Sequence, residues 1–153
     1  MPQTQHRVYL TPAEFGSPPH PFRTAEAGLV WLDADGLPAT DTRVHLSANA
    51  THALEGHGVL AELGKLPLQG TLGDGRDVVV PQGTLEAAAE VFYDADRNTY
   101  GRIWEFLVYT AAADPPIEYR VRVDNREYQR SLLRLTDLLT MASRVGHAVR
   151  LRF

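Results

Sequence analysis

Residues 117–153 read IEYRVRVDNREYQRSLLRLTDLLTMASRVGHAVRLRF, and this stretch contains a strand, a helix and a second strand in turn. Ile117, Tyr119, Val121 and Val123 alternate with Glu118, Arg120 and Arg122, the period-two pattern of a strand with one buried face. Asp124 or Asn125 then caps a helix, with Glu127 three residues after Asp124 as in a capping box and Gly146 as its stop. Inside it Tyr128, Leu132, Leu135, Leu139 and Ala142 fall at helical spacing and form one apolar stripe. Alternation returns in Val149, Leu151 and Phe153, which point inward, against Arg150 and Arg152, which point outward.

The same logic extends upstream. Ile103 to Thr110 is β-branched and aromatic, and Asp114-Pro115-Pro116 turns it back onto residues 117–123 as a hairpin. Thr84 to Phe92 is alanine-rich behind a capping threonine and predicts a helix. Leu68–Leu72 and Asp77–Val80 flank Gly73-Asp74-Gly75-Arg76 as a second hairpin. A helix is expected from Thr51 to Leu63, with Gly56 and Gly58 weakening it, and Leu29–Leu32 with Arg43–Leu46 makes a first hairpin. Residues 1–28 read as an amino-terminal strand followed by a Pro-rich arm, Gly16-Ser17-Pro18-Pro19-His20-Pro21, where proline blocks helix and central strand alike. Residues 29–153 read as one domain.

The expected class is α+β: a two-layer sandwich with a mostly antiparallel sheet and helices on one face. From residue 77 the order is strand, helix, strand, strand, helix, strand, the split βαβ or ferredoxin-like (βαββαβ) arrangement.

Composition narrows the function. The chain has 153 residues with 44% hydrophobic residues and no Cys, which excludes disulfide-stapled, cysteine-zinc and thiol chemistries. No apolar run reaches the roughly 18 residues of a membrane span, and the first residues do not read as a secretory signal. A cytoplasmic protein without membrane partners is expected. The net charge of −4 is unevenly spread. From residue 120 onward eight arginines face three acids, a net +5, which leaves −9 on the first 119 residues. Such asymmetry marks either an anionic partner or arginines that simply face solvent on the outer surfaces of regular elements.

Three constellations could carry chemistry. Arg126, Arg130 and Arg134 stand at i, i+4 and i+8, aligned opposite the leucine stripe. Arg120 and Arg122 share one strand face and Arg150 and Arg152 another. In the ferredoxin-like order these four line the open face of a single sheet, where Trp104, Phe106 and Tyr109 could join them to hold single-stranded nucleic acid. His52, Glu55 and His57 invite a metal reading, although five helical steps turn the second histidine about 140° from the first. Asp94 to Glu105 has the oxygen spacing of a calcium loop, but its sixth position is Thr99 and a strand starts where the second helix should.

No nucleophile elbow, phosphate loop or dinucleotide fingerprint occurs, and no cofactor is implied. The leading expectation is a non-enzymatic interaction module that meets a protein partner or itself through its Arg-rich carboxy-terminal surface. The alternatives are a binder of single-stranded nucleic acid or another anionic ligand, and a small metal-dependent enzyme using His52, Glu55 and His57. The final strand, read as a possible sheet edge, suggests a homodimer.

Overall fold

Asp124 starts the longest helix by accepting the N–H groups of Arg126 (2.8 Å) and Glu127 (3.4 Å) with its side chain. Helix α4 (Asn125–Val145) ends where Gly146 turns left-handed at φ 76°. Tyr128, Leu132, Leu135, Leu139 and Ala142 are all fully buried, so the stripe legible in the sequence is the stripe that packs. The reciprocal half of the capping box is not made. The Asp124 N–H goes to Asn49 Oδ1 (2.7 Å), and the Glu127 carboxylate accepts from the Ser47 hydroxyl instead.

The computed structural model describes residues 6–10, 27–32, 35, 38–72 and 76–153. Its elements are β1 (His6–Leu10), β2 (Ala27–Leu32), β3 (Pro38–Leu46), α1 (Ala48–Gly56), α2 (Val59–Leu63), β4 (Asp77–Val80), α3 (Leu85–Arg97), β5 (Ile103–Ala111), β6 (Ile117–Asp124), α4 and β7 (Val149–Arg152). The class is α+β in two layers, as expected. A three-stranded sheet runs β1-β6-β5 and a four-stranded sheet β3-β2-β7-β4. All strand pairs are antiparallel except β1 with β6, which are parallel. Helix α1 packs on β3 and β6, and α4 on β2, β3, β6 and α3. One hydrophobic cluster joins Val44 and Leu46 of β3, Val121 and Val123 of β6, and Val149 and Leu151 of β7 to the helices.

Two expectations about strand placement are corrected. The ferredoxin-like order over 77–153 would join β4 to β6 in one sheet, but β6 is flanked by β1 and β5, and β7 by β2 and β4. Strands from outside that segment occupy the positions the order requires. The final strand is therefore not an edge: β7 pairs with β2 and β4 on its two sides, so it offers no free edge for a dimer.

Smaller differences have local causes. The helix expected over 51–63 is two helices, because Gly58 takes a left-handed φ of 80° and breaks it. Of the second hairpin only a bridge between Gln69 and Val79 forms; its turn, Gly73 to Gly75, lies outside the described residues, as does the Pro-rich arm. The alanine-rich helix runs on to Arg97, and Thr84 donates its hydroxyl to Pro67 O (3.3 Å) rather than capping it.

The end of α1 meets β5 at Gly56, where a Cβ would overlap the Phe106 ring. Gly56→Ala is therefore expected to destabilise the fold by about 1–3 kcal/mol through overpacking. Urea unfolding checks this, and the loss should shrink when Phe106→Leu is combined with it.

Candidate functional site

The sequence-derived arginines fall into two groups. Arg120 pairs with Glu118 (3.2 Å), a buried carboxylate that also faces Arg7 (3.5 Å). Arg122 donates through Nε to Glu105 (2.6 Å) across β5 and β6, and its guanidinium lies 4.0 Å from the Tyr9 ring centroid. Arg150 and Arg152 both reach Asp77, at 3.5 and 2.7 Å, and Arg152 holds the Asp77 carboxyl below its usual range. The strand arginines are thus matched within the chain. They also lie in separate sheets, so they do not line the single open face expected of them. Trp104 and Phe106 turn away from that face and pack on His57; the Tyr109 side chain lies outside the described residues.

Arg126, Arg130 and Arg134 behave differently. All three are exposed, and none forms an ion pair among the described residues. Arg144 extends the row, and Leu133, Met141 and Val145 lie among them at 50, 41 and 54% exposure. Asp137 is the one acid on this outer face of α4.

The residues of the metal reading are not brought together. His52 is buried, and with Glu55 it lines a cleft of 440 Å³ bounded by Glu105, Phe106 and Val121. His57, beyond the end of α1, opens on a different cleft. Among the described residues no group of three or more His, Asp or Glu could hold a metal ion. Desolvation raises the Glu55 carboxyl pKa and lowers that of His52. The calcium-loop reading also dissolves: Asp94 to Arg97 form the last turn of α3, and Glu105 is a strand residue bonded to Arg122.

Asn125, which the sequence reads only as a cap, is the centre of a buried polar cluster. It is fully buried, and its N–H donates to Arg102 O (2.9 Å). Its amide nitrogen donates to Tyr100 O (3.1 Å) and Gly101 O (3.2 Å), so its Oδ1 must accept from His57 Nε2 (3.0 Å). That bond assigns the His57 tautomer. The imidazole stacks on Tyr128 with centroids 4.5 Å apart and planes within 2°, meets Trp104 at 5.5 Å and takes the Phe106 ring edge-on at 5.2 Å. Burial lowers the His57 pKa, partly opposed by the Asn125 bond.

Below this cluster a cleft of 330 Å³ opens between α2, α3 and α4, with His57 and Tyr128 in its wall. Comparisons with protein-family models, curated proteins and solved structures give no match. Geometry alone therefore carries the functional argument.

Two outcomes are expected of the Asn125 cluster. Asn125→Ala removes the shared partner of the Tyr100 and Gly101 carbonyls and of the His57 N–H, which should cost about 1–3 kcal/mol in denaturant unfolding. His52 and His57 both have folded-state pKa values below the ordinary 6.5. The unfolded chain then binds more protons between the folded value and 6.5, so stability falls as pH drops below about 6.5. Glu55, whose folded value is raised, acts in the opposite sense: its contribution is present below its ordinary 4.5 and lost as pH rises through the folded value. Melting temperatures measured from about pH 8 to 5 should decline, and less steeply in His57→Gln.

Proposed function

We propose that the chain is a non-enzymatic interaction module whose outer α4 face binds an acidic, amphipathic segment of another protein. The observation that carries this reading is the contrast between the two arginine groups. The strand arginines are matched by Asp77, Glu105 and Glu118. Arg126, Arg130, Arg134 and Arg144 instead surround exposed Leu133, Met141 and Val145, form no ion pair among the described residues, and share this face of α4 with one acid, Asp137. Apolar side chains ringed by cations suit a partner helix with leucines on one face and carboxylates beside them.

The face favours protein over single-stranded nucleic acid. Bases need aromatic platforms to stack on, and Leu133, Met141 and Val145 offer none. A symmetric contact between two copies would place like-charged faces opposite each other, so the partner is a different chain. No helix among the described residues is long and apolar enough to cross a membrane, and a cytoplasmic setting is part of the proposal.

A fluorescently labelled amphipathic peptide carrying Leu and Glu, and a thymidine oligonucleotide of equal charge, test the reading by anisotropy. The peptide should bind more tightly, with affinity that weakens as salt rises. Leu133→Asp or the pair Arg130→Glu with Arg134→Glu should each lower peptide affinity roughly tenfold or more. Equal or tighter oligonucleotide binding, or no peptide binding at low salt, would overturn it.

A further inference from the structure

The cleft between α2, α3 and α4 differs in character from the arginine face. We propose that it binds a small organic amine with an apolar body and a hydrogen-bond acceptor at the end remote from nitrogen. Three properties of its lining lead there.

The first is charge. Asp94 and Glu62 stand in the wall, and no Lys or Arg lines it. Glu62 is held by Lys65 at 2.7 Å, whereas the Asp94 carboxylate makes no ion pair among the described residues. An anion would be repelled, and an ammonium group would find an unshared partner.

The second is spare hydrogen-bonding capacity. Thr99 already donates its hydroxyl to Ala95 O (2.6 Å), and the Asn98 amide nitrogen donates to Asp94 O (2.8 Å). What remains is Asn98 Oδ1, which can accept, and the Tyr128 hydroxyl, which can donate. Tyr128 is fully buried, and among the described residues its hydroxyl makes no full hydrogen bond, only a weak side-chain contact with Thr99. Burial keeps that hydroxyl protonated far above neutral pH. A buried donor without a full hydrogen bond is uncommon in folded proteins and calls for an acceptor.

The third is shape. Val59, Val91 and Ala95 supply an apolar wall between the two polar ends, and 330 Å³ suits a ligand the size of a single ring with a short chain.

Tyramine is the probe, because its ammonium and phenolic oxygen lie at opposite ends of an apolar ring. Its near-isostere 4-hydroxyphenylacetate reverses the charge. In a titration followed by amide chemical shifts, tyramine should bind saturably, with shifts concentrated at Val91 to Thr99 and around His57, and 4-hydroxyphenylacetate should not. Asp94→Asn, at an exposed position, should weaken tyramine roughly tenfold. Tyr128→Phe, which removes a hydroxyl that makes no full hydrogen bond among the described residues, should melt at or above the parent temperature yet also bind tyramine roughly tenfold more weakly. Equal binding of the carboxylate, unchanged affinity in Asp94→Asn, or no saturable binding of tyramine overturns the proposal. None of these results bears on the arginine face, whose variants lie on the far side of α4 from its buried stripe.

Discussion

The bonds of Asn125 fix how three parts of the chain meet. This one buried amide takes the turn at residues 100–102 on its donors and the imidazole of His57 on its oxygen. It thereby fixes where β5 begins, where α1 ends and where α4 starts. A buried amide with both donors and its oxygen engaged is intolerant of displacement, because a shift that relieves one contact breaks another. Around it the start of α4 is tied twice more to the start of α1, through Ser47 with Glu127 and through the reciprocal pair of Asn49 with the Asp124 backbone. The stacked rings of Tyr128, His57 and Trp104 fill the space that these bonds enclose.

The uneven charge of the chain acquires a different meaning in three dimensions. Part of the basic carboxy-terminal excess is answered by acids within the chain: Asp77 lies beside β7, Glu105 lies beside β6, and Glu118 is on β6 itself, two residues before Arg120. The Asp77 and Glu105 contacts sit at or near the surface, where each ion pair contributes at most about 1 kcal/mol, whereas Glu118 is buried beside Arg120. The main consequence of these pairs is to leave Arg126, Arg130, Arg134 and Arg144 as a row of cations with no ion pair among the described residues. The same helix that supplies the core stripe thus presents an opposite face with distinct chemistry.

How far these features could be read from sequence depends on the range of the interactions behind them. Helix α4 was legible because its cap, stop and stripe all lie within its own residues. The inward set Val149, Leu151 and Phe153 was equally clear and is buried, since alternation reports which face packs. It does not report which strand lies alongside, and so β7 read as an edge although β2 pairs with it from far upstream. The ferredoxin-like order failed for the same reason: β5 with β6 and β4 with β7 do pair, but no β4–β6 seam joins them, and β1 pairs with β6 and β2 with β7 instead. At the candidate sites the helical arginines were evident from their spacing. Asn125 and Tyr128 were read only as cap and core, because His57, the residue that gives them another role, is 68 positions from Asn125.

The parallel pairing of β1 with β6 carries a consequence for synthesis. His6 aligns with Ile117 and Leu10 with Val121, so a strand that leaves the ribosome early has no partner until more than a hundred further residues have followed. During that interval its backbone groups are an open template for any neighbouring chain. Closing so long a loop is slow. The order of translation therefore opposes the order of pairing, and the three-stranded sheet can be completed only after α3 and β5 have been made.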